Sequence, residues 1–385
     1  MSSDGEDAQG STAVWRRRAG TLVGLGLALV LGAICFEGLV RLAVGQGWLH
    51  TPTPNRGQTG FWWGGHPTLG VWRHPDREGP LTGPCYSVTY RTNSVGARDR
   101  ERPRRADGPR VAVLGDSFLE GWGVEVEDRV SDRLERETGI PHLNFAMAHF
   151  GPYQQLLAYR EIASRFDHDA VIASVLPIND FLDSELELAE TLPGYEFRYR
   201  PYLVGDPPDL REVSYREPTW RRWLRHHSFA WNALRSRLDG LRAPPARRPD
   251  HSWFYDVEQR RVRLMQEILR RLADEVEGRP LAVLMIPALR DLQRYARSGP
   301  SPLVERLRQD GREHGYRVVD LLSAMGDRTR NWPAYFIPCD YHWSRFGNRA
   351  AEELTRALLE EEFYAPLRAR AVAPGGEARG PGEAR

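Results

Sequence analysis

Two hydrophobic patterns alternate along residues 108–365. Short, continuous apolar runs are typical of strands that are buried on both faces of a parallel sheet. Longer stretches between them carry apolar residues at helical spacing, which indicates helices with one buried face. The runs are residues 111–114, 142–146, 170–176, 281–286 and 316–321, and the helical stretches are residues 128–138, 152–166, 255–277, 302–314 and 345–361. This alternation predicts an α/β fold in which a five-stranded parallel sheet lies between two layers of helices.

A different pattern occupies the N-terminus, where residues 21–44 are apolar except for Glu37 and Arg41. A helix of about 24 residues spans a hydrocarbon core of roughly 30 Å. Three consecutive arginines, residues 16–18, precede the run. Positive charge before a span keeps that end in the cytoplasm. We therefore predict a single-pass protein of the cytoplasmic membrane, with its N-terminus inside and its catalytic domain in the periplasm or otherwise outside the cytoplasm.

A cleaved signal peptide is the alternative interpretation of the same run. Ala43 and Gly45 have the small-residue spacing of a cleavage site. A lipoprotein is disfavoured, because Ile34, rather than Gly, Ala or Ser, precedes Cys35. The sequence leaves open whether the anchor is removed.

Composition marks the other boundaries. Residues 46–84 are rich in Gly, Pro, Trp and His and are interpreted as irregular structure, and residues 86–98 predict a short strand and a turn. After the third strand, a long Pro-rich and Arg-rich insertion is interpreted as a cap beside the active site that shapes substrate binding. The predicted layout is a cytoplasmic head (1–20), a transmembrane signal-anchor (21–44), an extracytoplasmic lead-in segment (45–107), a catalytic domain (108–365) with the cap insertion (181–252), and a disordered tail (366–385).

Charge and lysine content exclude several classes of function. The 53 basic and 52 acidic residues give a net charge of +1, so nothing suggests a nucleic-acid partner. All 53 basic residues are arginine. Schiff-base chemistry, a Ser-Lys catalytic pair and a phosphate-loop lysine are therefore excluded for this chain.

Candidate catalytic residues stand where strands are predicted to end. Ser117 follows the first strand, where its hydroxyl can project from the edge of the sheet. His342 stands before the last helix, with Asp340 two residues upstream to orient its imidazole. Because a hydroxyl is a poor nucleophile until a base takes its proton, we predict Ser117 as nucleophile, His342 as base and Asp340 as its partner. The alternative is that Asp116 and Ser117 only cap a helix.

Asn179 directly follows the third strand, where its amide can donate to an oxyanion. In a parallel sheet the first three strands can end side by side, which brings residues near 117, 149 and 179 together. A role for Asn179 as a turn former is the alternative.

No metal or cofactor is predicted. Asp and His at close spacing can bind metal, but no further His, Cys or carboxylate follows His342 at ligand spacing. Cys85 and Cys339 would both face an oxidising compartment. The sequence leaves open whether they form a disulfide that braces the loop of Asp340 or stay as two buried thiols.

The order of these blocks resembles the SGNH/GDSL hydrolase superfamily, and in particular its membrane-anchored bacterial members. A segment similar to residues 93–99 often precedes the serine block in those members. The resemblance covers about residues 86–360 and is carried by four blocks: Gly-Asp-Ser-Phe at 115–118, the stretch 144–155, Asn179-Asp180, and Asp340-x-His342.

The resemblance implies a flavodoxin-like fold and the catalytic roles given above. It also implies three oxyanion donors: the backbone N–H of Ser117, a backbone N–H of the second block at His149 or Gly151, and the side chain of Asn179. Here the second block has His149 where the family usually has Gly, and a side chain there would crowd the site or demand backbone angles that Gly tolerates better. Pro177 also stands where Gly is common.

The spacing of Asp340 and His342 is two residues, rather than the usual three, and resembles that of polysaccharide O-acetylation relatives. The predicted function is that of a serine ester hydrolase acting outside the cytoplasm, through an acyl-enzyme, on O-acyl (acetyl) esters of carbohydrate or cell-envelope material. The alternatives are an O-acetyltransferase to a polysaccharide hydroxyl and an inactive glycan-binding or scaffold homologue. The predicted partners are a carbohydrate or lipid ester and the membrane.

Overall fold

The computed structural model describes residues 4–49, 62–190, 199–214, 216, 218–242 and 251–372. Its strands are β1 (Trp63–His66), β2 (Gly70–Arg73), β3 (Glu78–Thr82), β4 (Ser87–Arg91), β5 (Val111–Val113), β6 (His142–Asn144), β7 (Ala170–Val175), β8 (Pro201–Asp206), β9 (Asp209–Ser214), β10 (Leu281–Met285) and β11 (Tyr316–Asp320). Its helices are α1 (Asp4–Gly45), α2 (Ser117–Glu120), α3 (Val130–Thr138), α4 (Pro152–Glu161), α5 (Pro177–Ser184), α6 (Leu186–Glu190), α7 (Thr219–His227), α8 (Phe229–Arg242), α9 (Gln259–Glu275), α10 (Leu289–Ser298), α11 (Pro302–His314), α12 (Leu321–Arg328), α13 (Arg345–Leu359) and α14 (Ala365–Val372).

A five-stranded parallel sheet forms the centre of the larger part of the chain. Its strand order is β11-β10-β7-β5-β6. In the register of the central strands, Val111 of β5 lies between His142 of β6 and Ala170 of β7. Counted along the chain this is the order 2-1-3-4-5, which is the flavodoxin-like arrangement. The predicted α/β fold is therefore confirmed.

Helices cover both faces of this sheet. On one face α3, α12 and α13 pack together, and on the other face α4, α9 and α11 do so. Local signals set their ends, as in α11: the hydroxyl of Ser301 accepts from the N–H of Val304 at 3.3 Å, Pro302 opens the helix, and Gly315 ends it in the left-handed conformation. The predicted helix at residues 302–314 agrees with this element.

The lead-in segment contains more regular structure than the sequence predicted. Strands β1 and β2 form one antiparallel hairpin, and β3 and β4 form another. The interpretation of residues 46–84 as irregular was therefore wrong for 63–82. These strands carry glycine and proline, which are depleted in strands, and a small cluster of buried side chains around Trp62 and Tyr90 supports them instead.

The C-terminal boundary also differs from the prediction. Residues 366–372, which the sequence assigned to the disordered tail, belong to α14. The side chain of Leu367 is buried in the main core, which explains why this helix forms. The rest of the predicted tail lies outside the described residues.

The chain divides into two compact units, which are Met1–Arg56 with Glu217–Ala243, and Gly57–Arg216 with Pro244–Arg385. The insertion predicted as a cap is split between them. Its hairpin β8–β9 belongs to the second unit, whereas α7 and α8 belong to the first. A covering role of this insertion over the active site stays a prediction.

The first unit is built on α1. Residues Arg18–Gly45 of this helix have a mean hydropathy of 2.2 in their most apolar window, and the helix is long and apolar enough to cross a membrane. A signal sequence would have the same properties. Helix α8 packs against α1.

Candidate active site

Ser117 is the first residue of α2, just beyond the end of β5. The turn requires a glycine at Gly115, because a Cβ there would lie 2.9 Å from the hydroxyl of Ser174 and closer still to α2. Asp116 caps the helix, since its carboxylate accepts from the N–H of Phe118 at 2.9 Å. Asp116 is therefore the residue that caps the helix, and a nucleophilic role for Ser117 stays compatible with this cap.

Ser117, His342 and Asp340 form one hydrogen-bonded chain. Nε2 of His342 lies 2.7 Å from Oγ of Ser117, and Nδ1 of His342 lies 2.6 Å from Oδ1 of Asp340. Burial opposes ionisation of Asp340, but the hydrogen bonds and the charge of His342 outweigh it and hold the pKa of Asp340 below its usual range. The carboxylate is thus charged near neutral pH and stabilises an imidazolium.

The two-residue spacing of Asp340 and His342 closes a tight turn. Oδ1 of Asp340 accepts from the backbone N–H of His342 at 3.2 Å as well as facing its ring. Backbone hydrogen bonds join Ile337 to both ends of this turn, at 2.9 Å to His342 and 3.0 Å to Asp340. The shortened spacing is therefore compatible with a complete triad.

A disulfide holds this turn from outside. Cys85 and Cys339 are bonded, with their Cα atoms 6.0 Å apart, so the first of the two possibilities left open by the sequence is the one observed. The next residue after each cysteine belongs to the site, because the hydroxyl of Tyr86 donates to Oδ2 of Asp340 at 3.4 Å. The indole N–H of Trp122 donates to the same hydroxyl at 2.8 Å.

Removing this disulfide is expected to lower both stability and turnover. The double variant Cys85→Ser/Cys339→Ser should lose about 2–4 kcal/mol in the free energy of unfolding, because the bond closes a long loop of the unfolded chain. Its kcat should fall more than its KM rises, since the loop of Asp340 loosens. Urea unfolding and ester kinetics measure the two effects. Cys35→Ser is the control, because Cys35 is not bonded. An unchanged unfolding midpoint in the double variant would contradict this expectation.

Aromatic rings fix the imidazole of His342. The ring centroid of Phe118 lies 5.1 Å away, that of Trp122 lies 5.8 Å away, and Tyr341 stacks on it at 4.5 Å. Trp343 is buried against Phe118, so its role is packing. Tyr341 is half exposed, at 52%, whereas Ser117 and His342 are only 5% and 6% exposed. Ser117 and His342 are therefore almost fully buried, and the exposed ring of Tyr341 stacks on His342 beside them.

His149 has the backbone conformation that its position in the second block suggested. Its φ is 66°, in the left-handed region that costs a residue with a side chain roughly 1–2 kcal/mol. Burial lowers the pKa of its imidazole to about 4, so the ring is neutral near pH 7. A neutral ring adds no positive charge that would oppose formation of an imidazolium at His342.

Asn179 lies in the first turn of α5, which starts directly after β7. Because β7 and β5 are neighbours in the sheet, α5 and α2 begin at the same edge. Gly151 precedes α4 and is needed for close packing, since a Cβ there would lie 3.0 Å from the Cβ of Asp183 in α5. The topology thus places all the predicted oxyanion donors at one edge of the sheet, on segments that pack together.

Buried carboxyl groups lie beneath these donors. Burial, followed by the negative charges of Asp183 and Glu120, raises the pKa of Asp116 to about 7. Burial and the charge of Asp116 raise the pKa of Asp180 well above its usual range, and Oδ2 of Asp180 accepts from the N–H of Leu176 at 2.7 Å. This shift favours the uncharged form of Asp180, and a neutral carboxyl places less negative charge near a developing oxyanion.

Arg200 is a site residue that the sequence analysis missed. Its guanidinium is buried and donates to the carbonyl of His149 and to the carboxylate of Asp183. The hairpin that begins beside it is joined to α4, because the amide of Gln154 donates to the carbonyl of Pro201 at 2.8 Å. Arg200 thus holds the unusual backbone at His149 from the insertion, and only the folded contact reveals it.

Glu120 is a second missed residue. It lies in α2 with Ser117 and is buried, where it forms an ion pair with Arg73 of β2 and accepts from the hydroxyl of Tyr90 in β4 at 2.8 Å. It also accepts from the backbone N–H of Ala148, next to His149. One carboxylate therefore connects the serine helix, both lead-in hairpins and the second block.

The segment at 93–99 has a clear structural role. Arg98 is fully buried and donates to the carbonyls of Glu120 and Val124, at 3.0 Å and 2.7 Å, at the end of α2. Asp99 accepts from the backbone N–H of Asn144 at 3.1 Å. The segment thus positions the serine helix and the second block from one side. Sequence could identify the segment but not the two elements that it joins.

Comparisons with known proteins give structural similarities only. No protein-family model matches the chain, and no curated protein does. Among solved structures, it is similar to the lipase/acylhydrolase from Enterococcus faecalis, with 13% sequence identity and a TM-score of 0.38 over 70% of this chain and all of that one. It is also similar to a lipolytic protein of the G-D-S-L family from Veillonella parvula, with 10% identity and a TM-score of 0.39 over 66% of this chain and 100% of that one. The carbohydrate esterase family 2 enzyme with a carbohydrate-binding domain from Corynascus thermopiles shows 13% identity and a TM-score of 0.37 over 70% and 69% of the two chains. A function for this chain therefore has to rest on the geometry around Ser117.

Proposed function

We propose that this protein is a serine ester hydrolase of the SGNH/GDSL type. The observation that supports this best is the unbroken hydrogen-bonded chain from Oγ of Ser117 through both ring nitrogens of His342 to Asp340. A buried imidazole between a hydroxyl and a carboxylate is the arrangement that makes a serine nucleophilic. A structural role alone does not require three reactive side chains in this order.

The reaction proceeds through an acyl-enzyme. Oγ of Ser117 attacks the ester carbonyl carbon while Nε2 of His342 takes the hydroxyl proton, and the carbonyl oxygen becomes an oxyanion. When the C–O bond to the leaving alcohol breaks, the imidazolium returns its proton to that alcohol. A water molecule then attacks the acyl-enzyme with His342 again acting as base, and the acid and free Ser117 result.

The oxyanion is stabilised by donors at the edge of the sheet. The N–H of Ser117 lies in the first turn of α2, where backbone groups have no partner within the helix. The second block supplies a backbone N–H at His149 or Gly151, and Asn179 supplies its side-chain amide. Each such donor contributes on the order of 10²- to 10³-fold in kcat in enzymes of this kind.

The shape of the site favours a small acyl group on a larger alcohol. Ser117 and His342 are almost fully buried, so a small acyl group reaches Oγ of Ser117 most readily. Tyr341 presents an exposed ring at the opening, which suits the apolar face of a sugar. We therefore assign O-acetyl esters of carbohydrate or cell-envelope material as the substrate class.

The enzyme acts outside the cytoplasm and is held at the membrane by α1. Two observations support this location. The helix Arg18–Gly45 is long and apolar enough to span a bilayer, with three arginines at its start. The bond between Cys85 and Cys339 belongs to an oxidising compartment.

Transfer of the acetyl group to a sugar hydroxyl is the second candidate function. It is favoured by the tight Asp340-x-His342 turn, which resembles that of polysaccharide O-acetylation relatives. The chemistry differs only in the last step, where a sugar hydroxyl replaces water. Incubation with an acetylated glycan and an unacetylated acceptor separates the two, since hydrolysis releases acetate and transfer acetylates the acceptor.

Covalent labelling tests the common part of both functions. A fluorophosphonate probe is expected to modify Ser117 in the full-length protein, with the modified peptide identified by mass spectrometry. Ser117→Ala should abolish the label, while Ser174→Ala, at a buried serine of β7, is the matched control and should retain it. Failure of the wild type to label at Ser117 would instead indicate an inactive binding homologue.

A further inference from the structure

Helices α7 and α8 form a basic and aromatic pair that the chemistry at Ser117 does not use. In α7, Trp220, Trp223 and His227 recur at helical spacing, and arginines occupy positions between them. Helix α7 contains no acidic residue. The side chains of Trp220 and Trp223 are 55% and 59% exposed. A soluble surface rarely exposes two such rings on one turn, so this face is expected to have a partner.

Glu37 of α1 joins this pair to the apolar helix. Its carboxylate accepts from the hydroxyl of Ser228 at 2.7 Å and from the backbone N–H groups of Phe229 and Ala230, both at 2.9 Å. These are the first groups of α8, so Glu37 serves as its cap from another helix. A carboxylate in an apolar run is costly unless it is paired, and here the folded insertion pairs it.

Arg41, one turn further along α1, binds the preceding helix. Its guanidinium donates to the carbonyl of His227 at the end of α7, at 2.8 Å, and lies 5.2 Å from the ring centroid of Phe229. It also donates to Glu37 at 2.7 Å. The anionic side chain thus meets a helix start and the cationic one a helix end, which is the favourable orientation for both.

The position of these contacts along α1 sets their depth. Glu37 is 16 residues after Thr21, the first residue of the predicted span, which corresponds to about 24 Å of helix. A hydrocarbon core is roughly 30 Å thick, so Glu37 lies in its outer part, towards the far interface. Helices joined there are placed to reach the interfacial layer, where Trp rings lie at the headgroup level and the basic residues of an amphipathic helix meet anionic headgroups.

We propose that α7 and α8 lie in the outer interface of the bilayer, with their exposed Trp and Leu side chains at the acyl boundary and their arginines at anionic phospholipid headgroups. In α8 the exposed Leu234 and Leu238 share one face, one helical turn apart, whereas Ser236 lies on the opposite face. The pair is an extension of the membrane anchor. This inference rests on the membrane location proposed above, but not on the reaction at Ser117.

The same contacts imply that α1 is retained in the mature protein. Cleavage at the small residues Ala43 and Gly45 would remove Glu37 and Arg41 and leave the junction of α7 and α8 without either partner. The contacts of Glu37 and Arg41 therefore disfavour the signal-peptide alternative, which the sequence left open. Intact mass of the membrane-purified protein should show a chain that contains residue 37, and a mature N-terminus beyond residue 45 would overturn the proposal.

Site-directed spin labelling of the full-length protein tests the interface. Single cysteines replace Leu234, Leu238 and Ser236 in turn, in a Cys35→Ser background, and each labelled protein is placed in phosphatidylcholine vesicles that contain phosphatidylglycerol. The labels at 234 and 238 should collide more with oxygen and less with a water-soluble nickel complex than the label at 236. Omission of phosphatidylglycerol should reduce this difference. Equal accessibility at all three positions would overturn the proposal.

A variant of Glu37 separates insertion of α1 in the membrane from the contact of α1 with α8. Glu37→Leu keeps α1 apolar and inserted but removes the acceptor for Ser228, Phe229 and Ala230. The label at 238 should become more mobile, while labelling of Ser117 by a fluorophosphonate should persist. An unchanged label spectrum at 238 would overturn the role of Glu37. Loss of labelling at Ser117 in the wild type would count against the proposed hydrolase and not against the membrane contact.

Discussion

Replacement of His342 by alanine is expected to reduce kcat/KM on a short-chain ester by at least about 10,000-fold. Nε2 of His342 lies 2.7 Å from Oγ of Ser117 and is the proton acceptor at that position. Without it the hydroxyl stays protonated near neutral pH and attacks carbonyl groups poorly. The rate of p-nitrophenol release from p-nitrophenyl acetate measures the loss.

Two comparisons make this result specific. His314→Ala, at an exposed histidine of α11, should leave kcat/KM within about twofold of the wild type, since surface changes are rarely felt elsewhere. The double variant Ser117→Ala/His342→Ala should be no slower than the slower single variant, because residues that act as one unit are not additive. Losses that multiply in the double variant would contradict a shared mechanism.

The sheet, and the meeting of Ser117, His342 and Asp340 at its edge, could be predicted from the sequence because both depend on local signals. A strand that is buried on both faces must be apolar throughout, and every residue of β5, β7 and β10 is buried. The proposed nucleophile and base lie in short motifs whose position relative to a strand or helix is visible in the chain. The fold class follows from the alternation, and Ser117, Asp340 and His342 follow from the motifs.

The supports of the site could not be predicted because they depend on distant contacts. Arg200 reaches His149 across 51 positions of the chain, and Glu120 meets Arg73 from another element. The chain has 53 arginines, and nothing in the neighbouring sequence distinguishes Arg73 and Arg200 from the others. Arg73 reaches α2 only because the lead-in segment folds into hairpins. The Gly- and Pro-rich composition of that segment had indicated irregular structure instead.

These supports explain how the second block tolerates a histidine. The carbonyl of His149 is held by Arg200, and the N–H of the preceding residue is held by Glu120. Such contacts on both sides fix a left-handed backbone that costs roughly 1–2 kcal/mol on its own. The backbone conformation that glycine usually provides is therefore stabilised here by two buried charged side chains, Arg200 and Glu120, which lie outside the second block.

Substitutions at Asp340 are expected to separate the orientation of His342 from the charge beside it. Asp340→Ala removes both and should lower kcat/KM by about 10,000-fold, the size of effect seen when a triad imidazole adopts the wrong tautomer. Asp340→Asn should cost much less, about 10- to 100-fold, since a neutral acceptor is weaker than a charged one by roughly 1–2 kcal/mol. Steady-state kinetics on the same ester measure both losses.

The smaller loss with asparagine follows from the partners of each carboxylate oxygen. Oδ1 faces two donors, the ring and the backbone N–H of His342, so the amide oxygen is favoured in that place. The amide nitrogen then faces Tyr86, whose hydroxyl oxygen can accept a hydrogen bond from it. Trp122 already donates to that oxygen, which leaves one lone pair for the amide. The correct tautomer of His342 is therefore retained.

Removal of the Tyr86 hydroxyl should abolish the ability of asparagine at position 340 to hold His342 in the correct tautomer. Tyr86→Phe alone is expected to change kcat/KM less than tenfold, because its 3.4 Å bond to Asp340 is long and the carboxylate keeps its partners on His342. In Tyr86→Phe/Asp340→Asn the amide nitrogen has lost its acceptor, so the amide can turn and present N–H to the ring, which forces the wrong tautomer. The double variant should then approach Asp340→Ala, a loss larger than the product of the two single losses. Additive losses would show that Tyr86 does not direct the amide and that the charge of Asp340, rather than its orienting role, dominates catalysis.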